Sequence, residues 1–172
     1  MAAKESKPKW EGKATVELPG TTAEAAWAVV SDFCNLHKWI PIDTCYQVDQ
    51  DQPGLFRYCT SIIKTDGSAV MDEKARTTKI KWAKEKLLVN DPVQHCLSYA
   101  VIDSNIGFTN YVATMSVVPI AMAAEAGCKM EWGFVCDPVE GRTCEDLRSY
   151  IESYLRFMAN KIELAGKKEF GI

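Results

Sequence analysis

Two short stretches, RYCTS at Arg57–Ser61 and WAKEKLL at Trp82–Leu88, each set one charged side chain among apolar ones. If both are strands, alternation puts Glu85 on one face with Ala83, Leu87 and Val89, and Trp82, Lys84 and Lys86 on the other. The same count groups Arg57 with Leu55, Cys59 and Ile63, Tyr99 with Leu97 and Val101, and Tyr111 with Ala113, Met115 and Val117. The lysines mark the wet side, so Glu85 faces inward, and a carboxyl buried without a partner is driven toward its neutral form. Arg57 is one of the few interior cations on offer. A carboxyl, a guanidinium and two phenols in one interior can relay a proton and hold an oxygen on which charge develops. They can equally be a buried salt bridge beside two amphipathic core tyrosines, since structural ion pairs perturb acidities as active sites do.

These residues need a sheet to aim them. Trp10, Gly12, Ala14, Val16 and Leu18 alternate with Glu11, Lys13, Thr15 and Glu17 as in a half-buried strand, which stops at Pro19-Gly20. Thr21 with Glu24 three positions on reads as a capping box, and Ala25, Val29, Val30 and Phe33 then recur at helical spacing. NLHKWIP predicts a second, short helix that Pro41 ends. From there to about residue 136 strands follow one another, separated by turn signals in DQPG, TDG, NDP and SNIG. VVPIAMAAEAG at 117–127 reads as a strand end and loop. Beyond Gly141, Leu147, Tyr150, Ile151, Tyr154, Met158 and Ile162 form one stripe of a long helix that must lie on the sheet. The fold class expected is α+β, a curved antiparallel sheet wrapped around a long C-terminal helix, with two short helices and an enclosed cavity. One domain spans 10–165, between a disordered N-terminal tail (1–9) and a flexible C-terminal one (166–172).

With 172 residues the chain has room for one domain, and a formal net charge of −3 from 20 basic and 23 acidic residues offers no broad positive field for nucleic acid. The polar, lysine-rich start lacks the apolar core of a secretory signal, and no uncharged apolar run approaches membrane-spanning length, so the expectation is a cytoplasmic monomer, not inserted in membrane, that takes a small-molecule ligand or substrate in an internal cavity. Seven cysteines without a Cys-x-x-Cys read as reduced thiols packed as small hydrophobes. Cys59, inward beside Arg57, is either a reactive thiolate or, more simply, a buried inert thiol. With two histidines, His37 and His95, a metal site or histidine-based triad lacks raw material, and His37 reads as a surface or half-buried side chain. No metal or cofactor is expected. Trp10, Trp27, Trp132, Phe134 and Tyr154 are core aromatics by default.

The chain resembles the plant lachrymatory factor synthase family, within the Bet v 1-like or START-like (polyketide cyclase/dehydrase) superfamily. The likeness runs from about Trp10 to Leu164. It rests on W-x-G-K at Trp10–Lys13, Ala26-Trp27, D-F-x-N-L-H-K at Asp32–Lys38, Arg57-Tyr58, W-A-K-E-K-L at Trp82–Leu87, Ser98-Tyr99, Y-x-A-T-M at Tyr111–Met115 and W-x-F-x-C at Trp132–Cys136. The resemblance implies that Arg57 and Glu85 are the catalytic pair and that Tyr99 and Tyr111 line the substrate pocket, to which Trp132, Phe134 and Tyr154 are added as candidate binding residues. It implies a cofactor-independent, isomerase-like enzyme that rearranges 1-propenesulfenic acid to propanethial S-oxide by moving one proton, with Arg57 holding the sulfenate oxygen. The segment between Arg57 and Glu85 is longer than the family pattern, and Lys81 stands where members carry an aromatic residue. Two alternatives stay open: a carrier or receptor for a small hydrophobic ligand, and a proton-transfer isomerase, dehydratase or cyclase acting on another plant metabolite.

Overall fold

The computed structural model describes residues 8–63, 79–121 and 126–169. Seven strands form one antiparallel sheet in the order β1-β7-β6-β5-β4-β3-β2: β1 (Trp10–Leu18), β2 (Thr44–Val48), β3 (Phe56–Ile63), β4 (Lys79–Asp91), β5 (Cys96–Ser104), β6 (Tyr111–Ala121) and β7 (Ala126–Cys136). β2 to β7 run as a meander, and β1 returns to pair with β7 from Trp10↔Cys136 to Leu18↔Cys128. The curved sheet wraps α2 (Cys144–Glu169), which lies chiefly on β1 and β7, giving the helix-grip-like α+β arrangement expected from the pattern. α1 (Ala23–Val30) covers β6 and β7, and a 3₁₀ helix (Phe33–Lys38) covers β2 and β3. The buried face of α2, with Leu147, Ile151, Leu155, Met158 and Ile162, meets Leu97, Met115, Val117, Met130 and Trp132 of the sheet in one core.

Local details depart from the sequence reading. The N-cap of α1 is Thr22, not Thr21: the Thr22 hydroxyl accepts from the Ala25 N–H, and Thr21 is buried instead. The helix start therefore moves by one residue, and its inner face becomes Ala23, Ala26, Trp27 and Val30 in place of Ala25, Val29 and Phe33. Phe33 enters the core from the 3₁₀ helix. In β4, Leu87 pairs with Tyr99 and Val89 with Ser98, so Leu88 is an extra residue. That bulge turns Val89 outward, 46% exposed, off the face it would share with Glu85. Tyr150 lies at the margin of the α2 stripe and is 42% exposed. α2 continues to Glu169, past residue 165 where the sequence reading ends the domain. The TDG turn and most of the long segment between Arg57 and Glu85 lie outside the described residues.

Candidate active site

β3 and β4 place Arg57 directly opposite Glu85, and both side chains point inward as alternation requires. Arg57 is 3% and Glu85 8% exposed. Arg57 Nε donates to Glu85 Oε1 at 2.7 Å, and one Nη donates to the Phe33 carbonyl at 2.8 Å. The guanidinium carbon lies 3.9 Å from the Phe33 ring centroid and 4.6 Å from that of Tyr99, so two rings clamp it. Burial alone would lower the Arg57 pKa, but the Glu85 carboxylate more than offsets this and holds the guanidinium firmly charged. Next to Glu85 the β4–β5 register shifts: Lys84 pairs with Asp103 and Glu85 with Val101, leaving Ile102 as the extra residue. Bulges of this kind re-aim side chains next to functional sites.

A cavity of about 110 Å³ opens between the inner sheet face, the 3₁₀ helix and α2. Every strand from β3 to β7 contributes to its wall, among them Cys59, Glu85, Tyr99, Tyr111 and Trp132; α2 adds Ile151 and Tyr154. Glu85 is thus a wall residue with Oε1 held by Arg57, while Oε2 takes part in no hydrogen bond among the described residues. The Tyr99 phenol has its pKa raised by burial and then by the Glu85 charge, and that of Tyr111 is raised by burial and then by Tyr99, so both stay O–H donors. Trp132 is 2% exposed, and its indole N–H closes no hydrogen bond of ordinary geometry, although it is near enough to the Tyr99 oxygen to favour charge there. A buried donor on a cavity wall without a partner is a place for a ligand acceptor. Tyr154 stacks on Trp132 with centroids 6.4 Å apart and shares a hydrogen bond with Tyr150.

Two of the residues singled out in the sequence do not reach this wall. The Arg57 guanidinium is not among the lining residues; its Nε and one Nη are engaged by Glu85 and the Phe33 carbonyl, and two rings flank it. Phe134 stands behind Tyr111, with parallel rings 5.8 Å apart, and lies opposite Gly12 of β1. Phe108 covers the other side, its centroid 4.6 Å from that of Tyr111. Phe134 therefore positions Tyr111 instead of contacting the cavity.

Other wall residues escaped the sequence reading. Lys81 and Arg142 stand at the end of the cavity marked by half-exposed Tyr150, with Lys81 Nζ 5.8 Å from the Tyr150 ring centroid. Neither forms an ion pair among the described residues, and the Lys81 pKa is lowered by burial and then by Arg142. Alternation puts Lys81 on the face of Ala83 and Glu85, a signal that was there to be read; Arg142, in the turn before α2, had none.

The described residues contain no group of His, Cys, Asp and Glu side chains fit to hold a metal ion, and no helix long and apolar enough to cross a membrane. Among solved structures the chain is similar to XoxI of Bacillus cereus, at 17% identity over 90% of this chain and 94% of that one, with a TM-score of 0.64. It is also similar to a Thermobifida fusca protein at 22% identity over 88% and 92%, TM-score 0.62. A Nitrosospira multiformis protein matches at 15% over 88% and 95%, TM-score 0.63. These likenesses carry the fold alone. The sequence itself matches the family described as polyketide cyclase / dehydrase and lipid transport over residues 9–163, nearly its whole length, and the chain belongs to that family.

Proposed function

We propose that the cavity is a proton-transfer site for a small, mostly apolar substrate with an oxygen-bearing head, and that Glu85 moves the proton. The observation that carries this reading is the state of Glu85: a buried carboxylate on the cavity wall, one oxygen fixed at 2.7 Å by Arg57 and the other unheld. A relay group needs such a fixed orientation with one free oxygen toward the substrate. The Tyr99 and Tyr111 hydroxyls and the Trp132 N–H supply donors for the substrate oxygen on a mostly apolar wall. Arg57 acts through Glu85 as a positioning residue.

The reaction to test first is the one the sequence motifs point to, rearrangement of 1-propenesulfenic acid to propanethial S-oxide. Glu85 takes the S–OH proton and returns it to the alkenyl carbon not bonded to sulfur, where the C=C pair forms the new C–H bond as a sulfur lone pair forms C=S; substrate and product are isomers. The second reading, a carrier that returns its ligand unaltered, draws support from the lipid-transport half of the family description and from the apolar residues that dominate the wall. The discriminating experiment is headspace detection of propanethial S-oxide when the purified protein meets sulfenic acid freshly released by a cysteine sulfoxide lyase. We expect product above a protein-free control, and a folded Glu85→Gln variant slower by roughly 10²–10⁴-fold. A folded wild type that gives no product rejects this reaction; full activity in Glu85→Gln removes Glu85 from the chemistry.

A further inference from the structure

The proton-transfer reading makes no use of two sulfurs beside the site. Cys45 of β2 and Cys59 of β3 are direct cross-strand partners, and their Sγ atoms lie 3.5 Å apart. Both point to the interior. Cys59 is half-buried on the cavity wall, with Sγ 3.9 Å from Glu85 Oε1; Cys45 sits behind it, 5% exposed, with Sγ 3.8 Å from the Phe33 carbonyl. We propose that Cys45 and Cys59 form a dithiol site that reduces small organic disulfides entering the cavity, with Cys59 attacking first and Cys45 resolving to an intramolecular disulfide.

The geometry separates these two cysteines from an ordinary pair of packed thiols in three ways. One sulfur is on a wall that a small molecule can reach, and the other is not. Directly opposed residues on neighbouring strands hold their Cβ atoms about 4.5–5.5 Å apart, against about 3.5–4.5 Å in a disulfide, so closure needs a small approach of β2 and rotation about χ1. β2 is an edge strand, paired among the described residues only with β3, so the approach disturbs a single ladder. The pair also holds a shared proton: the Cys59 S–H donates to Cys45, which with the Arg57 charge lowers the Cys45 thiol to about 6, and Cys59 is raised in return. The groups facing the pair are Arg57 and Glu85, with Cys34 toward Cys45 and Tyr99 and Tyr154 toward Cys59. By contrast Cys128 and Cys136 are fully buried, with thiols pushed up to about 11 by burial. Thiolate character and access together set cysteine reactivity, and only the Cys45–Cys59 pair combines a source of thiolate with a cavity.

The steps balance. The Cys59 S–H proton passes to Cys45 as Cys59 Sγ attacks one sulfur of the disulfide RSSR; that S–S bond breaks, and the first RS⁻ leaves and takes that proton from Cys45, which is then a thiolate again. The Cys45 thiolate then attacks the Cys59 sulfur, the mixed disulfide breaks, and the second RS⁻ leaves and is protonated. The pair, which starts with one proton between its two sulfurs, loses two electrons and that proton, water supplies the second proton, and RSSR becomes two RSH.

The test uses the intact, reduced protein at neutral pH with 2-hydroxyethyl disulfide, followed by mass spectrometry and peptide mapping. We expect the native chain to lose two hydrogens, release two equivalents of 2-mercaptoethanol and yield a Cys45–Cys59 cross-linked peptide that dithiothreitol reopens. Cys45→Ser should stop at a mixed disulfide on Cys59, and Cys59→Ser should leave Cys45 unmodified. The proposal is overturned if Cys45 and Cys59 are still thiols after Cys34, Cys96 and Cys144 have reacted, or if a folded Cys45→Ser traps no adduct on Cys59. Should either variant fail to fold, phenylarsine oxide titration of the native wild type decides. One equivalent bound across Cys45 and Cys59 supports the site, and arsenic found elsewhere or nowhere rejects it. Both readouts are independent of the reaction proposed for Glu85.

Discussion

Replacing Arg57 by methionine would leave the Glu85 carboxylate buried without its partner, and the arithmetic of buried pairs says which term then dominates. The pair itself stabilises little, because taking two ions out of water costs about as much as their attraction returns, whereas removing one ion strands the other at about 3–5 kcal/mol. Arg57 also fills the gap between the Phe33 and Tyr99 rings, so its aliphatic stem and planar head pack as well as pair. Arg57→Met is therefore expected to lower the unfolding free energy by about 3–5 kcal/mol, and Arg57→Met with Glu85→Leu to recover most of that loss. Urea titration of the two variants checks this, and a double variant no more stable than the single would show that packing of the guanidinium, not the stranded charge, was lost. Both residues were legible in the sequence because a strand's two-residue period needs no knowledge of its neighbours. Their division of labour was not, since only the Phe33 carbonyl and the flanking rings show that Arg57 faces away from the cavity.

At the scale of elements, Gly12 shows how β1 governs a site it does not line. β1 and β7 pair Gly12 with Phe134, and a Cβ on Gly12 would fall 2.8 Å from Phe134 Cε1 and 3.4 Å from the Arg148 Cβ of α2. The glycine is there for space. Phe134 is 3% exposed and stacked on Tyr111, so the ring can yield only by pressing on the cavity wall. Gly12→Ala should cost about 1–3 kcal/mol by overpacking and also weaken ligand binding, because the displaced ring moves Tyr111. Paired measurements of urea midpoint and ligand affinity test it; lost stability with untouched affinity would mean that β1 shifts away and spares Phe134. The strands themselves were visible as alternation, and α2 as a stripe, because both periods persist over many residues. The bulge after Leu87 and the true N-cap at Thr22 were hidden: each is a one-residue choice settled by contacts with β5 or by a single hydroxyl.

The whole molecule sets its own limit at high pH, since the phenols that keep the cavity supplied with donors are ones that folding holds protonated. Tyr99 and Tyr111 both have pKa values above the ordinary 10, first through burial, then through the Glu85 charge for Tyr99 and the Tyr99 phenol for Tyr111. A group whose folded pKa is raised contributes stability that is fully present below the unfolded value and is lost as pH climbs from there toward the folded one. Above pH 10 the unfolded chain releases these protons and the folded chain retains them, so unfolding free energy must fall with pH. Each phenol removes about 1.4 kcal/mol per pH unit in that window. The thiols of Cys128 and Cys136, pushed up from 9 to about 11, start the same decline one unit earlier. Urea titrations stepped from neutrality to beyond pH 10 should show a shallow loss that steepens past 10, and the Tyr99→Phe, Tyr111→Phe double variant should lose the steeper part. An identical slope in the double variant would place the alkaline limit elsewhere, first in the Tyr154 phenol that burial and Tyr150 also raise, and would detach the stability of the fold from Tyr99 and Tyr111.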